Sequence, residues 1–209
     1  LAAVQQTVEK NIQDHEKDFD KLMNDSALVR QMNENTFAEP VLQQLTDKPY
    51  FIYRYFVNDI GLHQIIFWNT QTVLPTEKII TVNDSGGFIK LDNGYYVWRR
   101  QHNAHSITIA LIPVKWNYFV TNTYLENRFV AGKNFERDYD ISTTESTASV
   151  RSVSGRNLFY LAEKSANIVP ENNRLAVWLR IFAAFFILLF IHLLATDIAA
   201  KQGLVKALL

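Results

Sequence analysis

The chain has no cysteine, and only 7 glycines and 5 prolines among its 209 residues. Without cysteine there can be no disulfide framework, zinc knuckle, iron–sulfur site or thiol nucleophile. The scarcity of glycine and proline argues against long disordered linkers. An excess of charge of one sign is also lacking: 21 Lys+Arg stand against 21 Asp+Glu, a formal net charge of zero. A nucleic-acid binder uses basic excess to displace counterions from phosphates, so no nucleic-acid partner is expected. Catalytic signatures are missing as well. There is no Gly-x-Ser-x-Gly elbow, and Gly86-Gly87 reads as a turn pair rather than a phosphate cradle. His102 and His105 lie in an expected loop between two strands with no carboxylate within five residues, a thin basis for a metal site. No metal and no cofactor is expected in this segment.

What the chain does have is one long apolar run. Residues 175–195 read LAVWLRIFAAFFILLFIHLLA, with Arg180 and His192 the only polar members. A helix needs roughly 20 such residues to cross a bilayer. Arg180 can snorkel to headgroups from near one end. Trp178, at that same end, suits the interface. Between Ile181 and Ile191 there is no polar face, which a surface helix would need. A transmembrane helix is expected over residues 173–197. Residues 198–209 then form a short cytoplasmic loop that ends in Ala207, Leu208 and Leu209, the start of a further apolar segment. Lys201 and Lys206 in that loop set the orientation, with residues 1–172 periplasmic or extracellular and the anchor in the inner (cytoplasmic) membrane.

Ahead of the span the periodicity changes once. Residues 1–33 carry Val4, Val8, Ile12, Phe19 and Met23 at multiples of three to four, a narrow stripe on an otherwise charged helix. Such a stripe packs on its own domain or on a second copy. Residues 33–40 end this helix. Strands are then expected at residues 50–57 (YFIYRYFV) and 62–68 (LHQIIFW), joined as a hairpin through Asn58, Asp59, Ile60 and Gly61. A weaker strand is expected at residues 78–82. Residues 88–91 and 95–99 flank Asn93-Gly94, a strong hairpin signal. The segment 106–114 (SITIALIPV) is a further strand, with Pro113 marking an edge or exit. A short helix is expected around Tyr124 and Leu125, and a polar loop over residues 133–149. A last hairpin brackets Ser154, Gly155, Arg156 and Asn157. Asn24-Asp25-Ser26 and Asn83-Asp84-Ser85 match the glycosylation triplet and read as turn chemistry. The fold class is α+β: a long N-terminal helix (1–33), a mostly antiparallel sheet within a sensor-like domain (34–172), and a C-terminal transmembrane helix.

Aromatic residues crowd residues 50–119. Core packing explains many of them, since aromatics favour strands and dominate buried area. The alternative is that some line a ligand pocket together with a few placed polar groups. The candidates are Arg54, Trp68, Tyr96, Trp98, Arg99, Trp116 and Asn117. Arg99 and Arg100 point to opposite faces of a strand, so at most one of them enters a given pocket.

The segments QIIFWNTQTVLP (64–75), LDNGYYV (91–97), LIPVKWNYFVTNTYLENRF (111–129) and VSGRNLFYL (153–161), followed by a span, resemble the extracytoplasmic sensor region of membrane-bound sensor histidine kinases of Bacteroidetes-like bacteria. The resemblance implies a PAS-like or Cache-like sheet and a homodimer. It also implies a small-molecule or protein signal, and an ATP-dependent histidine kinase outside this chain that acts on a response regulator. None of the five histidines sits in a phospho-acceptor box. The alternative is a membrane-anchored sensor or binding module without a kinase, chemoreceptor-like or an assembly protein.

Overall fold

The computed structural model describes residues 1–58, 61–103, 105–164 and 174–202. Asp59, Ile60 and Ala104 of the expected turns lie outside the described residues, as do residues 165–173 and residues 203–209 with Lys206, Ala207, Leu208 and Leu209. Two compact units result, residues 1–164 and 165–209.

In the first unit, α1 (Ala2–Asn24) buries Val8, Ile12, Glu16, Phe19 and Leu22. The expected continuous helix over 1–33 is broken at Asp25, whose backbone is extended. Its carboxylate accepts hydrogen bonds from the amides of Ala27 (3.0 Å) and Leu28 (3.1 Å), capping α2 (Ser26–Glu34). Asn35 ends α2 in the left-handed region (φ 52°), where asparagine is tolerated. Pro40 does not stop a helix. It sits in the first turn of α3 (Glu39–Thr46), where a missing N–H costs nothing.

The main sheet is antiparallel. Its strands are β1 (Phe51–Val57), β2 (His63–Trp68), β3 (Gly86–Leu91), β4 (Gly94–Asn103) and β5 (Ser106–Trp116), in the order β2-β1-β5-β4-β3. A two-residue β6 (Arg128–Phe129) pairs with the end of β5. The expected strand at 78–82 is instead a helical turn, α4 (Glu77–Thr81), which buries Ile79. So short an apolar run does not distinguish the two by periodicity. The Asn93-Gly94 signal located the hairpin, but Leu91 pairs with Gly94, so Asp92 and Asn93 make the turn. A Cβ on Gly94 would lie 2.5 Å from the Lys115 carbonyl oxygen, so close strand packing is what requires glycine there. Pro113 is not at a sheet edge, because β5 is central. β1 ends opposite Leu111 and β6 begins opposite Lys115, so Pro113 falls in the gap between them, beside the register shift of β4.

No helix forms around Tyr124. The Asn122 side chain accepts from the amides of Tyr124 and Leu125 (2.8 Å each), a local turn that competes with helix. The expected loop over 133–149 contains α5 (Phe135–Asp138) and β7 (Tyr139–Ser142). With β8 (Ala148–Arg151) and β9 (Asn157–Glu163), β7 makes a second antiparallel sheet in the order β7-β9-β8. Two cores follow. One packs Val8, Ile12 and Phe19 of α1 against Ile52, Ala110 and Ile112 of the main sheet and Val150, Phe159 and Leu161 of the second. The other covers the opposite face of the main sheet with Tyr53, Tyr96, Trp98, Ile109, Leu111 and Ile79. Much of the α1 apolar stripe is therefore consumed within its own domain.

The second unit holds α6 (Arg174–Gln202). From Trp178 to Asp197, 20 residues, it is long and apolar enough to cross a membrane. At 1.5 Å per residue that is about 30 Å, the thickness of the hydrocarbon core. The fold is thus mixed α+β with antiparallel sheets and one apolar helix fit to anchor the chain.

Candidate functional site

Alternation along the strands sends the sequence candidates to different places. On the face away from α1, Tyr96 is buried and its hydroxyl donates to Asn93 Oδ1 (2.8 Å). Trp98 is buried in the same core. Trp116 meets Tyr96 edge-on at 6.1 Å and stacks on Tyr118 at 5.8 Å. Tyr53 donates its hydroxyl to the Val73 carbonyl, which fastens the segment after β2 over this face. Burial holds the Tyr53 and Tyr96 hydroxyls well above the ordinary range and Tyr55 up to about 12, so all three stay neutral donors. The aromatics here are chiefly core. Trp68 is the exception: half of it is exposed, and it lines an open apolar cavity of about 340 Å³ with Ile65, Gln71 and Leu74. Asn117 donates its backbone N–H to Asn93 (3.0 Å) at the end of β5.

The two candidate arginines lie on the helix-covered face. Arg99 is occupied: Nη2 lies 2.7 Å from Asp20 and Nε 3.9 Å from Glu16, both on α1. Its neighbour Arg100 points the other way, with a buried Nε that has no partner among the described residues. Burial lowers the pKa of Arg100.

Arg54 is the unusual one. It is 1% exposed in the middle of β1. Its Nε donates to Asn33 Oδ1 (2.7 Å), its Nη2 to Ser106 Oγ (2.8 Å), and its Nη1 to Thr108 Oγ1. The Ser106 hydroxyl in turn donates to Asn103 Oδ1 (2.7 Å). Among the described residues Arg54 forms no ion pair. Desolvation, with no anion to offset it, pulls its pKa below the usual value. Asn33, Ser106 and Asn103 also line an open cavity of about 610 Å³, completed by Phe56, Ile66 and His105.

The sequence points to Arg54 but not to Asn33, Asn103, His105, Ser106 and Thr108 around it. A signal existed. Ser106 and Thr108 alternate with Ile107 and Ile109, so the polar phase of β5 shares one face, and Arg54 pairs directly with Thr108. The seven candidates do not converge on one pocket. No group of His, Asp or Glu side chains able to hold a metal ion occurs among the described residues.

No family model, no curated protein and no solved structure matches this chain.

Proposed function

We propose that the chain is the sensing and anchoring part of a dimeric two-component sensor histidine kinase. Residues 1–172 lie outside the inner membrane as a PAS-like or Cache-like domain, and α6 crosses it. The kinase and its response regulator act beyond this chain. The observation that carries the reading is the sheet order β2-β1-β5-β4-β3, entered from a long helix and followed in the chain by a span-length apolar helix. The resemblance implies a PAS-like or Cache-like domain with a long N-terminal helix, an analogy of fold that supports the reading without carrying the chemistry.

A signal can act only if it binds two arrangements of the dimer with different affinity. Because Val8, Ile12, Phe19 and Leu22 are buried within their own domain, pairing through α1 uses its outward side, where Gln6, Lys10, Asp14, Lys17 and Lys21 are exposed. The absence of native cysteine makes this directly testable. Single cysteines at Gln6, Lys10, Asp14 and Lys17 are expected to cross-link between copies in membranes, whereas one at Ile12 is not. Uniform absence of cross-links removes the dimer reading. Coding sequence after Leu209 that specifies a phospho-acceptor His box and ATP-binding boxes supports the kinase. A stop codon there overturns it and leaves an anchored binding module.

A further inference from the structure

A buried charge normally has a counterion, because removing it from water is costly unless it is paired. Among the described residues Arg54 has only neutral oxygens as partners. Asn33, Thr108 and Ser106 take three of the five N–H donors that a guanidinium carries. Two of these partners, Asn33 and Ser106, form part of the wall of the 610 Å³ cavity. The guanidinium thus stands one side chain behind a solvent-connected space. The cavity is lined by the polar residues Asn33, Asn103, His105 and Ser106 together with the apolar Phe56 and Ile66. The Asn33 Oδ1 is fixed by the Nε donor, so its Nδ2 is left to donate elsewhere, and among the described residues no carboxylate lines the space.

We propose that this cavity, between the end of α2 and the β1–β2 and β4–β5 hairpins, binds a small oxyanion, a carboxylate or phosphate group, through Asn33 and His105, with Arg54 as the buried counter-charge. Charge-assisted hydrogen bonds to an oxyanion are about twice as strong as neutral ones. A low-dielectric wall strengthens the attraction to Arg54 further. The bound anion supplies the negative charge that the fold leaves out. This adds a ligand class to the sensor reading, and rests on that reading for signalling but not for binding.

The test uses the full chain in detergent micelles, with thermal midpoint followed against sodium phosphate, sodium acetate and, at matched ionic strength, sodium chloride. A saturable rise with phosphate or acetate above chloride is expected. The anion that saturates at the lower concentration identifies which oxyanion the site takes. Asn33→Asp puts a carboxylate on the Arg54 Nε, so it is expected to raise the midpoint without added anion and to abolish the anion-dependent rise. His105→Ala, at an exposed position, keeps the fold and raises the half-saturating concentration about tenfold, the effect of one lost hydrogen bond to a charged group. No saturable rise in the unaltered chain overturns the site. So does a rise that both variants retain, because it places the anion elsewhere. Anion binding that leaves the α1 cross-links unchanged upholds the site and counts against the sensor reading. Absence of binding with cross-links present does the reverse.

Discussion

Arg99 Nη2 lies 2.7 Å from Asp20 Oδ2, an ion pair that joins the middle of β4 to α1 across 79 positions of sequence. The same guanidinium is the nearest cation to Glu16, which is 1% exposed and also accepts the Val153 amide proton at 2.7 Å. One carboxylate of α1 therefore reaches both the main sheet and the β8–β9 turn of the second.

Arg99→Ala is expected to cost about 2 kcal/mol, less than the full loss of a buried pair because Asp20 keeps contact with water. Much of the loss comes from leaving Glu16 buried without its cation. Adding Glu16→Gln to Arg99→Ala should therefore recover about half of it, a coupling that denaturant titration of the four chains measures directly. Simple addition of the two single effects would show that Arg99 does not act on Glu16.

The pH profile carries a second test. Burial pushes the Glu16 carboxyl above its ordinary 4.5, against the pull of Val153 and Arg99. A group raised on folding contributes stability that is present below its unfolded pKa and lost as pH rises through the folded one. Burial also pushes Asp18 up, but hydrogen bonds from Lys48 (2.6 Å) and Tyr50 (2.7 Å) outweigh it and hold the group below its ordinary 3.8. Its contribution is present above 3.8 and lost as pH falls through the folded value. Thermal midpoints against pH should show both limbs. Glu16→Gln flattens the fall that begins above 4.5, and Asp18→Asn flattens the fall below 3.8. An unaltered profile in either variant removes that group from the account.

How far the sequence disclosed this fold depends on how strongly each signal was expressed. The aromatic and β-branched runs of β1 and β2, the apolar stripe of α1 and the apolar α6 were readable because each has one dominant period. Residues 78–82 failed because Ile79 and Ile80 lie side by side and fit either period. The second sheet is only half legible: β7 is four residues, none fully buried, and its partner β9 lies some twenty residues on, so its strand character comes from pairing rather than composition. The candidate site was legible as residue types and illegible as a place. The arginines and aromatics stand out by residue type alone, and it is the strand phase that separates Arg54 from Trp98 and gives Arg99 to α1. Asn33 could not have been found at all, because it reaches Arg54 only through the bend at Asp25.

That bend gives the sharpest contrast between the sequence pattern and the fold. If residues 1–33 made one helix, Asp25 would be an interior position, and Asp25→Ala would stabilise it, since alanine is the better helix former. In the structure Asp25 is extended and caps α2 through Ala27 and Leu28. Removing that carboxylate leaves the two exposed amide donors to water and is expected to cost about 1 kcal/mol. Asp25→Asn, which keeps an acceptor oxygen, should lose much less. The amide protons of Ala27 and Leu28 should exchange faster in Asp25→Ala, while those in the centre of α1 should not change, because α1 is held by its own contacts to both sheets. The anion response should weaken as well, since α2 is what carries Asn33 to Arg54. A stabilised Asp25→Ala chain with unchanged exchange would mean that α1 and α2 are one continuous helix, and would displace Asn33 from the Arg54 cavity.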